Sequence, residues 1–538
     1  MAFPPSLTQY IKAFYKFFGS QSQNFDLLED ITTPNNIHPQ LDDECLKEVF
    51  KYLKDNTRSL HSCASVSRKW CEQAIPLLWE DPFCIFYKND TLVQTYISCL
   101  PEERRTYLGE NGLFIPKLSN PKYNYPSYLR KLDYQKLNLA ISRWLTNNKN
   151  RVDPEIICLV SQEFTKLIAN QSKELHFLRV SKGPDNINVP NFNICTDFEE
   201  LVSGLQTFQI SGIFKEEHEI NNIAYLTSII SKKCRNIEHL HINLSCSYES
   251  RIQQNLVNIL GSQIQLRNFE CYVKNTAYFL LKLSRQTENL VELSLGGIEY
   301  NSISILYPLI SCTNLEKLKI FNYYDDTKYH KTYIESSRYH NLRINELHLI
   351  GASVNELFFE YLVRMVRSSL KKLVLDKIGD EKFLSIILKF PYLTHLALSI
   401  RPDSPNLSRL AKLNLEHLIL NDSTPDRLDN YILNNIESFP DTLRHLDLLI
   451  CIPPDILQYI LTKCKYLETL GIYLQLPKDD SKYIKVIIRY AQSSGSFSTL
   501  RYIRNCSGQK LIPLSKTLCG YAQMYIENIV NEIYHPWE

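Results

Sequence analysis

The sequence is poor in glycine, with 15 glycines among 538 residues, whereas soluble proteins average about 7%. Loops that cradle phosphate need glycines at fixed spacings, and neither the P-loop pattern nor the dinucleotide-binding pattern occurs in the chain. The zinc-protease pattern H-E-x-x-H and the nucleophile pattern G-x-S-x-G are also missing. We therefore predict that the protein is not an enzyme and that it needs no cofactor and no metal.

Long apolar runs and a strong net charge are missing as well. No apolar run approaches the roughly 18 residues of a membrane-spanning helix, and the formal net charge is +2. The fifteen cysteines form no C-x-x-C pair, which favours buried thiols in a reducing compartment over disulfides or zinc sites. These observations predict a cytoplasmic or nuclear protein that binds neither nucleic acid nor a membrane.

A repeated leucine pattern is the strongest positive signal. The unit L-x-x-L-x-L occurs at residues 393–398, 415–420 and 443–448. Because side chains alternate along a strand, the last two leucines of each unit point into one core. Such a short unit cannot bury its own apolar face, so it must stack on neighbouring units.

The repeat continues in both directions at a looser spacing. Its average interval is about 27 residues, within the range of repeats that pair one strand with one helix. Apolar residues at helical spacing fill four intervals, at residues 358–369, 381–390, 455–465 and 482–492. Cysteine stands three residues before the first anchor in three repeats, which indicates a buried packing role for Cys234, Cys312 and Cys464. The thirteen predicted first anchors are Leu175, Leu205, Ile237, Leu266, Leu290, Leu315, Ile344, Leu370, Leu393, Leu415, Leu443, Leu467 and Leu500.

This array resembles intracellular leucine-rich-repeat proteins. The resemblance implies an α/β fold, a curved solenoid with a parallel inner sheet and outer helices. An unrelated α/β fold with leucines placed by chance is the alternative.

Three short amphipathic helices are predicted between residues 41 and 80, where apolar residues recur at helical spacing. Asp42 or Asp43 is the expected N-cap of the first helix. A module this small buries little core by itself, so some apolar surface should remain for a partner.

This segment resembles the F-box, the helical module by which substrate receptors dock on the Skp-type adaptor of cullin–RING ubiquitin ligases. Two departures are Leu41-Asp42 in place of the family's Leu-Pro and Ser67 in place of its Cys. A structural cap for the solenoid is the alternative interpretation. The resemblance predicts these adaptor-binding residues: Leu41, Glu44, Leu46, Val49, Phe50, Leu53, Leu60, Val66, Trp70, Leu78 and Trp79.

The predicted domain order follows from these two parts. It comprises an N-terminal extension (1–36), a three-helix F-box (37–84), a helical linker (85–170), the leucine-rich-repeat solenoid (171–506) and a C-terminal cap (507–538). In the linker, Asp153 and Pro154 predict the start of one helix.

The residues beside the middle anchors should face away from the core, on the concave side of the sheet. Their charges alternate in sign from repeat to repeat, which suits a protein target better than nucleic acid. The predicted target-binding residues are His239, His241, Glu292, Lys317, Lys319, Glu346, His348, Lys372, His395, His417 and His445.

Three of these histidines, His395, His417 and His445, occupy one position in consecutive repeats. Strands lie about 4.8 Å apart, so the imidazoles should stack along the concave face. A solvated surface column is the plainer interpretation. The functional alternative is a stripe that recognises an acidic target segment more tightly as the pH falls below about 6.5.

Taken with the resemblance, the sequence predicts a substrate-recognition subunit of an SCF-type cullin–RING ubiquitin ligase. Its partners would be the Skp-type adaptor, through it the cullin and RING subunits, and an unidentified protein target. A ligase-independent scaffold for protein–protein interaction is the alternative.

Overall fold

The computed structural model describes residues 42–530 of the chain. It leaves out residues 86–89, 117–119, 183–186, 188, 196, 245–249, 274–275, 284–287, 298–307, 310, 323–341, 352–355, 377–380, 401–406, 423–440, 450–451, 465, 475–479, 496, 505–521 and 525. The chain divides into two compact units between Leu77 and Leu78. No helix in the described part is long and apolar enough to span a membrane.

The first unit contains the three predicted helices. Asp42 caps the first helix, because its Oδ1 accepts a hydrogen bond from the Glu44 N–H at 3.1 Å. Asn56 caps the second helix in the same way through the Ser59 N–H. Capping of this kind satisfies N–H groups that the helix itself leaves unbonded. The helices are α1 (Asp43–Tyr52), α2 (Thr57–Ala64) and α3 (Arg68–Leu78).

Among its described residues, the second unit is built on one sheet of fifteen strands, all parallel and ordered as they occur along the chain. Each strand pairs only with the strands before and after it in sequence, which is the topology of a repeat solenoid. The predicted α/β solenoid with a parallel sheet is therefore confirmed. The strands are β1 (Lys131–Asp133), β2 (Phe177–Ser181), β3 (Thr207–Gly212), β4 (His239–Leu244), β5 (Asn268–Tyr272), β6 (Glu292–Gly296), β7 (Lys317–Asn322), β8 (Glu346–Gly351), β9 (Lys372–Leu375), β10 (His395–Ile400), β11 (His417–Asp422), β12 (His445–Leu449), β13 (Thr469–Leu474), β14 (Thr499–Arg504) and β15 (Asn528–Val530).

Helices connect many of these strands and cover one face of the sheet. Neighbouring helices need about 8–10 Å of separation, whereas strands need about 4.8 Å, so the stack bends with the sheet inside. The four predicted inter-anchor helices are present, and Asp153 caps the helix that begins at Pro154 through the Glu155 N–H, as expected. The helices are α4 (Pro82–Ile85), α5 (Asp90–Cys99), α6 (Glu102–Glu110), α7 (Tyr134–Asn147), α8 (Pro154–Gln171), α9 (Phe198–Leu201), α10 (Glu217–Lys233), α11 (Ser250–Ser262), α12 (Ala277–Leu283), α13 (Glu356–Val366), α14 (Glu381–Ile387), α15 (Pro454–Lys463) and α16 (Asp480–Ser494), and short 3-10 helices occur at Tyr125–Tyr128, Phe192–Ile194 and Leu407–Lys412.

The predicted leucine anchors form the core between the sheet and the helices. In the clearest repeats Leu396 pairs in register with Leu418, and Leu418 pairs with Leu446. All three are buried, as are the first anchors of the same repeats. The alternation of the strand therefore places the leucines in the core, as expected from the pattern.

The register of the last predicted repeat is wrong. Leu500 was predicted as a first anchor, but it pairs with Leu470, which is a middle anchor. Phe497, three residues earlier, is buried in the position of the first anchor. The predicted and the observed register both fall in the segment FSTLRYI. Phe497 fills the first-anchor site that the leucine pattern assigned to Leu500.

The sheet also extends beyond residues 171–506 at both ends. Strand β1 pairs with β2 through Leu132 and Leu178, within the segment predicted as a helical linker. Strand β15 pairs with β14 through Ile529 and Leu500, within the segment predicted as a C-terminal cap. Helices α7 and α8 of the predicted linker contribute to the same apolar core as the repeats.

Candidate interaction surfaces

The three N-terminal helices, α1 to α3, bury part of the predicted adaptor-binding set in their own core. Leu46, Phe50 and Leu60 are at most 1% exposed. The Phe50 ring meets the Trp70 ring edge-on, with 5.5 Å between the centroids. Leu46, Phe50 and Leu60 therefore pack the core of the module and are not available for contact with a partner.

Other predicted residues of the F-box lie on its surface. Val66 is 46% exposed, whereas Val49 of α1 and Leu53, the residue that follows α1, are half-buried. Tyr52, which the prediction did not include, is 65% exposed and lies three residues after Val49 on the same helix. Residues three and four apart share a helix face, so α1 presents a small apolar surface.

The remaining predicted adaptor-binding residues have different surroundings. Glu44 is exposed and forms an ion pair with Lys47 at 3.2 Å. Leu41 lies outside the described residues. Leu78 and Trp79 belong to the second unit.

Within that unit, Leu78 is buried and Trp79 packs against aromatic rings. The Trp79 ring lies 4.1 Å from the Tyr125 ring and 6.0 Å from the Tyr96 ring, measured between centroids. These contacts show that Trp79 contributes to the packing of the second unit.

The predicted target-binding residues fall into two rows on the face of the sheet opposite the core. We define the first inner row as the residues just before the middle anchors and the second inner row as those just after them. Strand pairing aligns the members of each row across adjacent strands. From β4 to β12 the first inner row is His239, Asn268, Glu292, Lys317, Glu346, Lys372, His395, His417 and His445. From β4 to β14 the second inner row is His241, Glu270, Ser294, Lys319, His348, Val374, Ala397, Ile419, Asp447, Gly471 and Arg501.

Glu346 is the centre of a charge network on strands β7 to β9. Its carboxylate lies 3.3 Å from Lys317 Nζ and 2.8 Å from Lys372 Nζ. It also lies 2.6 Å from His348 Nε2. Although burial alone would raise the pKa of Glu346, the histidine hydrogen bond and the lysine contacts hold it far below the usual range.

The prediction that His348 is a surface contact is wrong. His348 is 1% exposed, and its Nδ1 has no hydrogen-bond partner among the described residues. Burial lowers its pKa to about 4, against the opposing effect of Glu346. Its neighbours in the row, Lys319 and Val374, differ in burial, since Lys319 is half-buried and Val374 is fully buried.

The three aligned histidines form the predicted stack, which we call the histidine ladder (His395, His417 and His445). The ring centroids of His395 and His417 are 5.5 Å apart, and those of His417 and His445 are 5.4 Å apart. All three side chains are partly exposed. Burial, followed by the charge of His417, lowers the pKa of both His395 and His445.

A buried carboxylate next to the ladder was missed by the sequence reasoning. Asp447 is fully buried, and its two oxygens lie 3.0 and 3.1 Å from Arg501 Nη2. Its Oδ2 also lies 3.3 Å from His417 Nε2. Gly471 stands between Asp447 and Arg501 in the second inner row, and a Cβ there would overlap with the Asp447 carboxylate. The missing side chain lets Arg501 reach across β13.

On strands β4 to β7 the inner face carries an acidic residue, Glu270, and two aromatic residues, Tyr272 and Phe321. His241 Nδ1 lies 3.0 Å from Glu270 Oε2. His241, which was predicted to bind the target, is therefore paired with Glu270, which was not. The hydrogen bond from His241 and its charge lower the pKa of Glu270 although burial opposes them. The Tyr272 ring lies 5.4 Å from the Phe321 ring across Gly296 of β6, where a Cβ would meet the tyrosine ring at 2.6 Å.

The inner-row histidines and carboxylates do not form a metal centre in the described residues, where no group of three or more His, Cys, Asp or Glu side chains is arranged to hold an ion. The predicted packing cysteines are buried in the core. Burial raises the thiol pKa of Cys234 and Cys464 to about 12 and that of Cys312 to about 11. Thiols with such pKa values are poor nucleophiles at neutral pH.

Comparison with known proteins identifies the N-terminal helices. The F-box domain family matches residues 39–74, which covers α1, α2 and the first part of α3. No curated protein matches the chain. A solved structure of a complex of Rad7 and Elc1 from yeast is 16% identical and covers 72% of this chain and 90% of its own, with a TM-score of 0.33. The chain therefore contains an F-box domain at residues 39–74, and the described part of the chain that follows it forms a parallel repeat sheet.

Proposed function

We propose that the protein is the substrate-recognition subunit of an SCF-type cullin–RING ubiquitin ligase. In this proposal the F-box docks on a Skp-type adaptor, which connects the chain to the cullin and RING subunits, and the inner face of the solenoid holds a protein target. The F-box match at residues 39–74 is the observation that carries the proposal. The site of action would be the cytoplasm or the nucleus.

The work of such a subunit is binding. Holding a target beside a ubiquitin-carrying enzyme raises its effective concentration there, with no chemistry by the receptor itself. The fifteen described strands provide a long inner face with charged, imidazole and aromatic side chains. Tyrosine and arginine, which the inner face presents at Tyr272 and Arg501, are among the side chains that dominate protein–protein binding energy.

Adaptor docking can be tested with variants that spare the core of the F-box. Asp substitution at Val49 and Val66 places charges on half-buried or exposed apolar positions, where contact with an adaptor would desolvate them. We expect the double variant to lose co-purification with a Skp-type adaptor while it keeps the wild-type circular dichroism. Val152→Asp is the matched control, because Val152 is 47% exposed and lies in the second unit.

Two results would contradict adaptor docking through this surface. One is a folded wild-type chain that never captures the adaptor, which would favour the ligase-independent scaffold. The other is undiminished capture by the double variant. Phe50→Ala is unsuitable as a docking test, since loss of a fully buried ring costs about 3–5 kcal/mol of stability.

A further inference from the structure

Charge is distributed unevenly along the two inner rows. On strands β4 to β6 the rows contain Glu270 and Glu292 and neither lysine nor arginine. On the described strands β7 to β14 they contain two carboxylates and four cations, which are Lys317, Lys319, Lys372 and Arg501. From β4 onward the two inner rows therefore change from net acidic to net basic at β7.

The two carboxylates of the basic part are already engaged by cations. Asp447 is fully buried and held by Arg501, and Glu346 contacts both Lys317 and Lys372. Lys317, Glu346 and Lys372 together leave one positive charge in excess on the first inner row, and the histidine ladder lies on the strands beside them. The surplus on this row is therefore positive charge, next to imidazoles that can donate hydrogen bonds.

We propose that the first inner row from Lys317 to His445 binds an extended acidic segment of a protein target. The proposal rests on the proposed function, since it names the chemistry of the target that the solenoid would hold. Five strand spacings of about 4.8 Å separate the ends of this row, so a segment of about seven extended residues covers it. Carboxylates of the segment contact the lysines at all pH values near neutrality, and they contact His395 and His445 more strongly when these two imidazoles are protonated.

The surroundings of the ladder predict how binding changes with pH. Lys372 and the neighbouring imidazoles oppose protonation of His395, whereas Glu416 favours it. His417 and Arg501 oppose protonation of His445, whereas Glu468 and Asp447 favour it. Burial is the largest effect, and together with these charges it lowers the pKa of both histidines.

At neutral pH these imidazoles are therefore uncharged. Bound carboxylates favour the charged form, so binding must take up protons and tighten as the pH falls.

The probe for this inference is a fluorescein-labelled peptide of about eight residues that alternates glutamate and alanine. Its carboxylates stay largely ionised at pH 5.5, because the glutamate pKa is about 4.3. In fluorescence anisotropy with the full-length chain we expect binding that is about three- to ten-fold tighter at pH 5.5 than at pH 7.5, the effect of one or two exposed charge pairs. A peptide with glutamine in place of glutamate should bind more weakly and without this pH dependence.

Ladder variants test whether these histidines carry the effect. H395Q/H417Q/H445Q keeps polar side chains, including one that can still donate to Asp447, and should abolish the tightening. His239→Gln is the matched control, because His239 is an exposed histidine of the same row outside the ladder. If the triple variant unfolds, H395Q/H445Q leaves the His417–Asp447 contact intact and should reduce the tightening.

Several results would overturn the inference. They are failure of the glutamate peptide to bind between pH 7.5 and 5.5, equal binding of the glutamine peptide, and full tightening in the folded ladder variant. Adaptor co-purification is measured separately on the same proteins. A chain that captures the adaptor but ignores the peptide contradicts only this inference, and a chain that binds the peptide but never the adaptor contradicts only the proposed function.

Discussion

Gly471→Ala should destabilise the solenoid although it adds only one methyl group. The new Cβ would overlap with the Asp447 carboxylate, which leaves little room to move because it is fully buried. That carboxylate is fixed by Arg501 through two contacts of 3.0 and 3.1 Å and by His417 at 3.3 Å. Relief of the overlap therefore requires a shift that breaks the ion pair.

The expected magnitude is the balance of two effects. Disruption of a buried ion pair that leaves one charge without its partner costs about 3–5 kcal/mol. Replacement of glycine restricts the unfolded chain and returns about 0.4–1 kcal/mol. We therefore expect Gly471→Ala to lower the free energy of unfolding by about 2–5 kcal/mol.

Gly261→Ala is the matched control for this prediction. Gly261 lies in α11, and a Cβ there would meet nothing within 4 Å. Alanine is the better helix former, so this variant should gain up to about 1 kcal/mol. Urea denaturation of both variants measures the difference, and hydrogen exchange of β12 to β14 locates it.

A double-mutant cycle with Asp447→Ala isolates the cause. Without the carboxylate only the Cβ of residue 447 remains near the new methyl group, at 3.2 Å, so most of the overlap is removed. Gly471→Ala should therefore cost much less in that background, and the two substitutions should couple strongly. The reasoning would be refuted if Gly471→Ala behaved like Gly261→Ala, or if its cost were the same with and without Asp447.

Further predictions concern the core and the buried histidine. Leu373→Ala and Leu396→Ala should each cost about 2–5 kcal/mol in urea denaturation, because both leucines are buried in packed rungs; wild-type stability in either variant would contradict the assigned core. Because the pKa of His348 is lowered to about 4 in the folded chain, its stabilising contribution is present above the unfolded pKa of about 6.5 and is lost as the pH falls from there towards 4. His348→Gln should flatten the loss of stability in this window, and an unchanged pH profile would exclude His348 as its source.

The leucine anchors could be predicted because a strand has a period of two and the core is continuous. These facts fix which face each leucine occupies without knowledge of the rest of the chain. The pattern failed where aromatic residues fill anchor sites. Phe497 takes the first anchor of β14, and Tyr134 is buried two residues after Leu132 of β1 in the segment LRKLDY. A pattern that admitted Phe and Tyr would have found both rungs.

The alignment of the inner rows was predictable for the same reason, but the burial within them was not. Sequence position placed His348 and His395 on one face, and the structure confirms that face. Their exposure differs because it depends on the side chains of neighbouring strands, which are separated from them by a whole repeat. The same limit applies to the F-box, where helical spacing grouped Val49 with Phe50, although only Phe50 is fully buried.

The contact between Asp447 and Arg501 shows what a repeat pattern leaves out. The two residues are 54 positions apart and belong to strands that are not neighbours. Each looks like an ordinary surface residue of its own repeat, and Gly471 looks like a weak point in a strand. The register of β12, β13 and β14 places Gly471 between Asp447 and Arg501. Because glycine has no side chain, Arg501 can contact Asp447 across β13. Gly471 thus allows the contact with Arg501 that holds the Asp447 carboxylate next to His417, the central imidazole of the ladder.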